Sequence, residues 1–151
     1  PHKFKIAVSG CPRNCAEATI KDLGIIGVDS GWEISIAGNG GIKVRVTDFL
    51  CKVETDEELL TYVKAFMQFY REDAYYLERT AHWVERTGLQ YVKDVMLDKQ
   101  KVSYYANKFE ISQKSAQVDP WAKAIEEGFT KEFNPIVINP EQSHSFEAKE
   151  I

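Results

Sequence analysis

No apolar run in this chain approaches the roughly 20 residues that a helical membrane span requires, and no charged-then-apolar leader signals secretion. Both absences point to a cytoplasmic protein. Basic residues are in deficit, with 19 Lys and Arg against 23 Asp and Glu and a net charge of −4. That balance offers nothing to nucleic acid or to an anionic membrane. Cysteine is scarce and odd in number, at three. Without export features, an odd count argues against a disulfide scaffold and for reduced thiols, with metal or cluster binding as one use. The three histidines, His2, His82 and His144, lack a metal-ligand spacing and read as surface or packing residues. Internal repeats and low-complexity tracts are missing. So is an initiator methionine: Pro1-His2-Lys3 runs almost at once into a strand pattern, as in a fragment, a separate domain or a processed product.

What is present suffices for a domain with a real core. The chain has 151 residues, of which 44% are hydrophobic and 28% charged, ordinary values for a globular protein. Phe4, Ile6 and Val8 alternate with Lys5, Ala7 and Ser9, the period of a half-buried strand. Gly10-Cys11-Pro12 forces a turn, and good helix formers from Cys15 to Leu23 predict a helix stopped by Gly24. Leu23–Val28 reads as a buried strand. Trp32, Ile34 and Ile36, then Ile42, Val44 and Val46 after a glycine-rich break, read as two more. The expected fold class is α+β, a mixed sheet with a crossover helix followed by a helical half.

The helical half opens at Thr55-Asp56-Glu57-Glu58, which matches a capping box, followed by Leu59, Val63, Phe66, Tyr70 and Leu77 on one face. A second helix around His82–Arg86 stops at Gly88, and a third spans Leu89–Leu97. The lysine-rich stretch Lys99–Lys114 reads as a solvated linker. Pro120, Pro135 and Pro140 interrupt the remainder, which leaves one short helix over Trp121–Glu127 and a polar, mobile tail from Asn139. The division expected is residues 1–97 as a domain part and 98–151 as an irregular extension. Trp83, Tyr75 and Tyr76 read as core or domain-contact aromatics, and Arg79, Glu85 and Arg86 as solvated charges with modest pairing.

The most informative segment is Ser9-Gly10-Cys11-Pro12-Arg13-Asn14-Cys15-Ala16-Glu17-Ala18. Two cysteines four apart on a strand-to-helix turn can face one object, and amides at a helix start together with Arg13 would favour thiolates. Spacing alone leaves two buried packing thiols as the competing reading. Ala18, three residues beyond Cys15, stands where a radical S-adenosylmethionine motif needs a cysteine. A zinc site lacks a second close pair, since only Cys51 remains.

This segment resembles the second cysteine signature, Cys-x3-Cys, of the nitrite and sulfite reductases that use sirohaem and a [4Fe–4S] cluster. Asp22-Leu23-Gly24, Ala37-Gly38-Asn39-Gly40-Gly41, the stretch Lys43–Cys51 and Tyr70-Arg71-Glu72 extend the resemblance over the first two-thirds of the chain, closest to the NAD(P)H-dependent nitrite reductase large subunit. It implies the C-terminal part of a sirohaem-cluster domain in an oxidoreductase that reduces nitrite to ammonia with six electrons. Cys11 and Cys15 would be metal ligands, with Cys15 bridging to sirohaem iron. Arg13 and Asn14 would touch ligands or sirohaem carboxylates, with plain surface roles as the alternative, and Gly38, Asn39, Gly40 and Gly41 would pack against cofactor or form a simple turn. The family's earlier Cys-x5-Cys motif and anion-pocket basic residues are not in this chain, and Cys51 matches no ligand position. Half a ligand set cannot hold a cluster, so the isolated chain would be apo and inactive, with FAD and NAD(P)H on other domains. The partners implied are the remainder of the reductase polypeptide and nitrite, and a homo-oligomer formed through exposed aromatics is a further expectation. A sulfite reductase of the same family and a non-catalytic α+β interaction module are the alternatives.

Overall fold

A computed structural model describes residue 1 and residues 3–128. His2, His144 and the tail with Pro135 and Pro140 lie outside the described residues. The chain divides into two units, Pro1–Ser115 and Ala116–Ile151, each taken by itself.

The first unit is built on a four-stranded mixed sheet in the order β1 (Ile6–Ser9), β2 (Leu23–Val28), β3 (Gly31–Ile36), β4 (Asp48–Val53). β1 runs parallel to β2, and the other pairs are antiparallel. Register places Leu23 opposite Ile36 and Ile25 opposite Ile34, so one face of the sheet carries these four fully buried side chains. Ile6 and Val8 extend that same face at the free edge, where they stay 42% and 52% exposed.

Helices cover this face. α1 (Asp56–Asp73) starts as the capping pattern requires: Thr55 Oγ1 accepts from Glu58 N at 3.2 Å. The Glu58 carboxylate reaches back to Glu54 N, 3.1 Å away, one residue earlier than the usual box. Its face buries Leu59, Phe66, Phe69 and Tyr70, with the Phe4 ring packed at a tilt against Phe66 and Tyr70, centroids 6.0 and 5.7 Å away. Leu77 is not part of that face. It lies beyond the helix with φ 62° and is half exposed. α2 (Thr80–Thr87) and α3 (Leu89–Met96) meet at Gly88. Trp83 of α2 is fully buried against Phe66, Phe69 and Tyr70, and its Nε1 donates to Asp73 Oδ2 at 2.6 Å. It is a core aromatic, whereas Tyr75 and Tyr76 face solvent.

Three expectations change. Cys15–Leu23 is not a helix: the parallel crossover from β1 to β2 is a chain of turns with a single 3₁₀ turn over Ala18–Ile20. Asn14 and Glu17 both sit at φ 54°, and the Asn14 side chain takes the Ala18 amide, which competes with helical pairing. Gly24 consequently lies inside β2 and caps nothing; a Cβ there would stand 2.2 Å from Ala18 O. Ile42–Val46 is not a strand either. Its alternation is genuine, but Ile42, Val44 and Val46 are all exposed on a loop closed by the Asn39–Arg45 bridge, and the fourth strand follows at Asp48.

The expected linker at Lys99–Lys114 is the helix α4 (Lys99–Gln117). Asp98 Oδ1 caps it by accepting from Gln100 N at 2.9 Å. Val102 and Ala106 are buried in the core beside Tyr105, whose ring lies 5.2 Å from that of Phe69. Ion pairs Lys108–Glu72 and Lys64–Glu110, each 2.7 Å, join it to α1. The lysines line its solvated side, and a buried stripe this narrow leaves little periodic signal. In the second unit, α5 (Pro120–Glu126) begins with Pro120 in its first turn, and Asp119 Oδ1 accepts from Trp121 N. Among the described residues no helix is long and apolar enough to cross a membrane.

Candidate cluster-ligand loop

The end of β1 delivers the chain into three successive turns. Asn14 N donates to Cys11 O at 3.2 Å, Glu17 N to Asn14 O at 2.9 Å and Ile20 N to Glu17 O at 3.2 Å. Cys11 opens the first turn and Cys15 lies inside the second. Both thiols are free and exposed, as is Arg13 between them. Arg13 forms no ion pair among the described residues. The α-helix start expected to favour thiolates at Cys15 is not there, since only a short 3₁₀ turn follows at Ala18. The formal positive charge beside the thiols is that of Arg13, while the amides of Asn14, Ala16, Glu17 and Ala18 are taken up by hydrogen bonds within the loop.

Asn14 points the other way. Its Oδ1 accepts from Ala18 N at 2.7 Å and from Ser9 Oγ at 3.3 Å, and its Nδ2 donates to Thr19 Oγ1 at 2.8 Å. Ser9, only 4% exposed, also accepts from Ala16 N at 3.2 Å.

The glycine-rich loop grips the same segment from the other side. Ala37 N donates to Asp22 O, Gly38 N to Lys21 O and Thr47 N to Thr19 O, at 2.9, 2.9 and 2.8 Å. Gly38 is buried with no room for a side chain, because a Cβ would meet Lys21 N and O within 2.7 Å. Asn39 pairs with Arg45 through both backbone groups at 2.8 Å, while its Nδ2 donates to Lys43 O at 2.9 Å. Gly40 and Gly41 lie exposed at the tip. Arg45 holds the loop's far arm by donating to Ala37 O at 2.5 Å and pairing with Asp48 at 2.6 Å. The cysteine loop and the glycine loop are thus joined through residues 19–22.

Asp22 anchors this junction. It is 1% exposed, and its carboxylate accepts from Lys5 N (2.8 Å), Arg79 Nη2 (2.6 Å), Arg79 Nε (3.3 Å) and Thr80 Oγ1 (2.6 Å). Arg79 is accordingly a structural cation and not a merely solvated one. Beside it, a cleft of about 260 Å³ opens between the glycine loop and Lys3, Lys5 and Arg79. Ser9 and Asp22 stand in motif segments that give no sign of these contacts, and Thr19 and the cleft lysines stand outside those motifs. Lys3 and Lys5, alternating with apolar residues, were the one local signal of a basic strand edge.

Cys51 is chemically different from the loop cysteines. It lies half-buried on β4, opposite Ile34, and burial pushes its thiol up to about 11. This is the reverse of what ligation needs. Among the described residues no group of three or more His, Cys, Asp or Glu could hold a metal ion. The donor set fits half of a thiolate-ligated cluster: two free, accessible sulfurs where four are required.

The chain is similar to known nitrite and sulfite reductases. The chain is 50% identical over 127 residues to "Nitrite reductase [NAD(P)H]" of Bacillus subtilis (strain 168), covering 84% of this chain and 16% of the relative. It is 46% identical over 100 residues to "Nitrite reductase (NADH) large subunit" of Escherichia coli (strain K12), covering 65% of this chain and 12% of that one. It is 33% identical over 97 residues to "Sulfite reductase, assimilatory-type" of Nitratidesulfovibrio vulgaris (strain Hildenborough), covering 64% and 44%. The chain thus spans about a sixth or less of the nitrite reductases it matches. Residues 1–103 match the nitrite and sulphite reductase 4Fe-4S domain, and the chain belongs to that family.

Proposed function

We propose that Cys11 and Cys15 are two of the four thiolate ligands of a [4Fe–4S] cluster, with Cys15 also bridging to sirohaem iron, in a cytoplasmic NAD(P)H-dependent nitrite reductase. The reaction is the six-electron reduction of nitrite to ammonia. The observation that carries this reading is the pair of free, solvent-facing thiols on one hydrogen-bonded loop, in a chain half identical to an NAD(P)H nitrite reductase. The remaining ligands, and the FAD and NAD(P)H sites, belong to the rest of the reductase polypeptide. When bound, the cluster and sirohaem supply electron transfer and the nitrite-binding iron.

This chain's own residues hold and shape that site. Arg13 carries a positive charge with no competing carboxylate among the described residues, which stabilises negative charge near the sulfurs. Gly38, Asn39 and Gly40 set a backbone wall fixed to residues 19–21, against which a flat macrocycle can pack closely. Ile6 and Val8 at the sheet edge, and Ile42, Val44 and Val46 on the glycine-rich loop, expose apolar side chains suited to the remainder of the polypeptide. In the isolated chain the same side chains would favour homo-oligomers.

The test uses the reductase that contains this chain. Cys11→Ser and Cys15→Ser should each abolish the cluster's electron paramagnetic resonance signal and nitrite turnover, and Cys15→Ser should uncouple cluster from sirohaem. Arg13→Gln should lower the cluster potential. An intact, coupled cluster in Cys15→Ser sinks the ligand assignment, and faster turnover of sulfite than nitrite moves the enzyme to the sulfite branch.

A further inference from the structure

We infer that Ser9, Asn14 and Thr19 form a side-chain clamp that presents the two loop thiols as a preformed pair, so that Asn14 is a positioning residue and not a contact to cofactor. The inference rests on the reading of Cys11 and Cys15 as ligands of one centre.

The argument starts from the backbone. Asn14 lies at φ 54°, a region that glycine enters freely and that asparagine tolerates because its amide can bond locally. Glycine would satisfy the backbone alone. Asparagine adds three contacts at once, to Ser9, Ala18 and Thr19. Each partner sits on a different piece of the loop. Ser9 ends β1 just before the first turn, and its hydroxyl returns to Ala16 N in the second. Ala18 N opens the 3₁₀ turn, and Thr19 O accepts from Thr47 N at the base of the glycine loop.

Cys11 and Cys15 stand on either side of Asn14 and make no side-chain hydrogen bond of their own among the described residues. Their positions are inherited from the two turns that meet at Asn14: one ends on its N–H, the next begins at its carbonyl. Without the clamp, the segment from Gly10 to Glu17 would retain only turn hydrogen bonds at the surface, and the two sulfurs would lose their fixed relation. Ordering them would then fall to the metal, at a cost in affinity.

The full 151-residue chain in a Cys51→Ser background leaves two thiols, and Cd2+ titration followed by thiolate-to-metal absorption reads their pairing directly. Binding should require both Cys11 and Cys15. Asn14→Ala and Asn14→Gly should each weaken it about tenfold or more, and Thr19→Val should weaken it by less. Asn14→Asp keeps the acceptor for Ser9 and Ala18 and should recover affinity to within a few-fold of the parent. Thermal unfolding monitored in parallel separates a displaced loop from a lost fold, since the clamp lies outside the apolar core. Full affinity in Asn14→Gly overturns the inference, for then the backbone conformation alone suffices. Equal losses in Asn14→Asp and Asn14→Ala overturn it too. If instead Cd2+ binding needs both thiols and Asn14, while the reductase keeps its cluster signal in Cys15→Ser, the clamp stands and the cluster reading fails. Absence of any thiol-dependent Cd2+ binding overturns the clamp's role as a presenter of ligands.

Discussion

Replacing Asp22 with Asn should be, together with loss of its partner Arg79, the costliest single polar change in the first unit. The carboxylate is 1% exposed and accepts four hydrogen bonds, two from the Arg79 guanidinium. An amide has nearly the same shape but loses the charge, and its NH2 group faces donors on at least one side. Breaking a buried ion pair by removing one partner costs about 3–5 kcal/mol. Arg79 keeps a quarter of its side chain in water and can be partly resolvated, so the lower end applies, about 3 kcal/mol. At roughly 2–8 °C per kcal/mol across small to mid-sized domains, the melting point should fall by about 10 °C. Urea unfolding followed by far-ultraviolet circular dichroism should show a lower midpoint at unchanged slope. Arg79→Gln should cost at least as much, because it strands the carboxylate, and the double variant should cost less than the sum. A loss below about 1 kcal/mol for Asp22→Asn, or strict additivity with Arg79→Gln, would refute the keystone assignment.

Gly24→Ala should destabilise by about 3 kcal/mol, the upper end for overpacking, because its Cβ would stand 2.2 Å from the backbone oxygen of fully buried Ala18; an unchanged urea midpoint would contradict this. Alkylation of the native chain should label Cys11 and Cys15 and spare Cys51, whose thiol at about 11 has on the order of a hundredfold less thiolate than an ordinary cysteine near neutral pH. Peptide mapping before and after unfolding checks it, and equal labelling of all three would count against it. The hydrogen bond from Arg86 holds the Glu78 carboxyl below the usual carboxylate range despite partial burial. A depressed folded-state pKa contributes stability above the unfolded value, near 4.3, that is lost as pH falls through the folded one. Glu78→Gln should therefore be less stable at pH 7 and converge with the parent as pH falls through the lowered folded-state value, and a gap independent of pH would exclude the pair as its source.

Which parts of the fold were legible follows from what stabilises each. β2 was readable as the apolar run Leu23–Val28 and β3 from the alternation of Trp32, Ile34 and Ile36, and Leu23, Ile25, Ile34 and Ile36 are indeed buried. α1 was readable from Thr55 and Glu58, and the break between α2 and α3 from Gly88. α4 was not, because only Val102, Tyr105 and Ala106 mark its inner side and the lysines around them read as solvent-loving chain. The cysteine pair was visible as a motif, whereas the Asp22–Arg79 contact joins residues 57 apart and leaves no local trace.

The two loops with the pattern of regular structure but not its conformation adjoin Cys11, Cys15 and Gly38–Gly41, the positions that the family resemblance implies lie against the cofactor. Residues 15–23 hold helix formers and 42–46 alternate like a strand, yet each is overruled by a few polar contacts: Asn14 to Ala18 and Thr19 in one, Asn39 to Lys43 and Arg45 to Ala37 in the other. Hydrophobic periodicity reports only on segments that bury a face within their own domain. Ile42, Val44 and Val46 keep the pattern and stay exposed, as expected if, as proposed above, the remainder of the reductase polypeptide covers them.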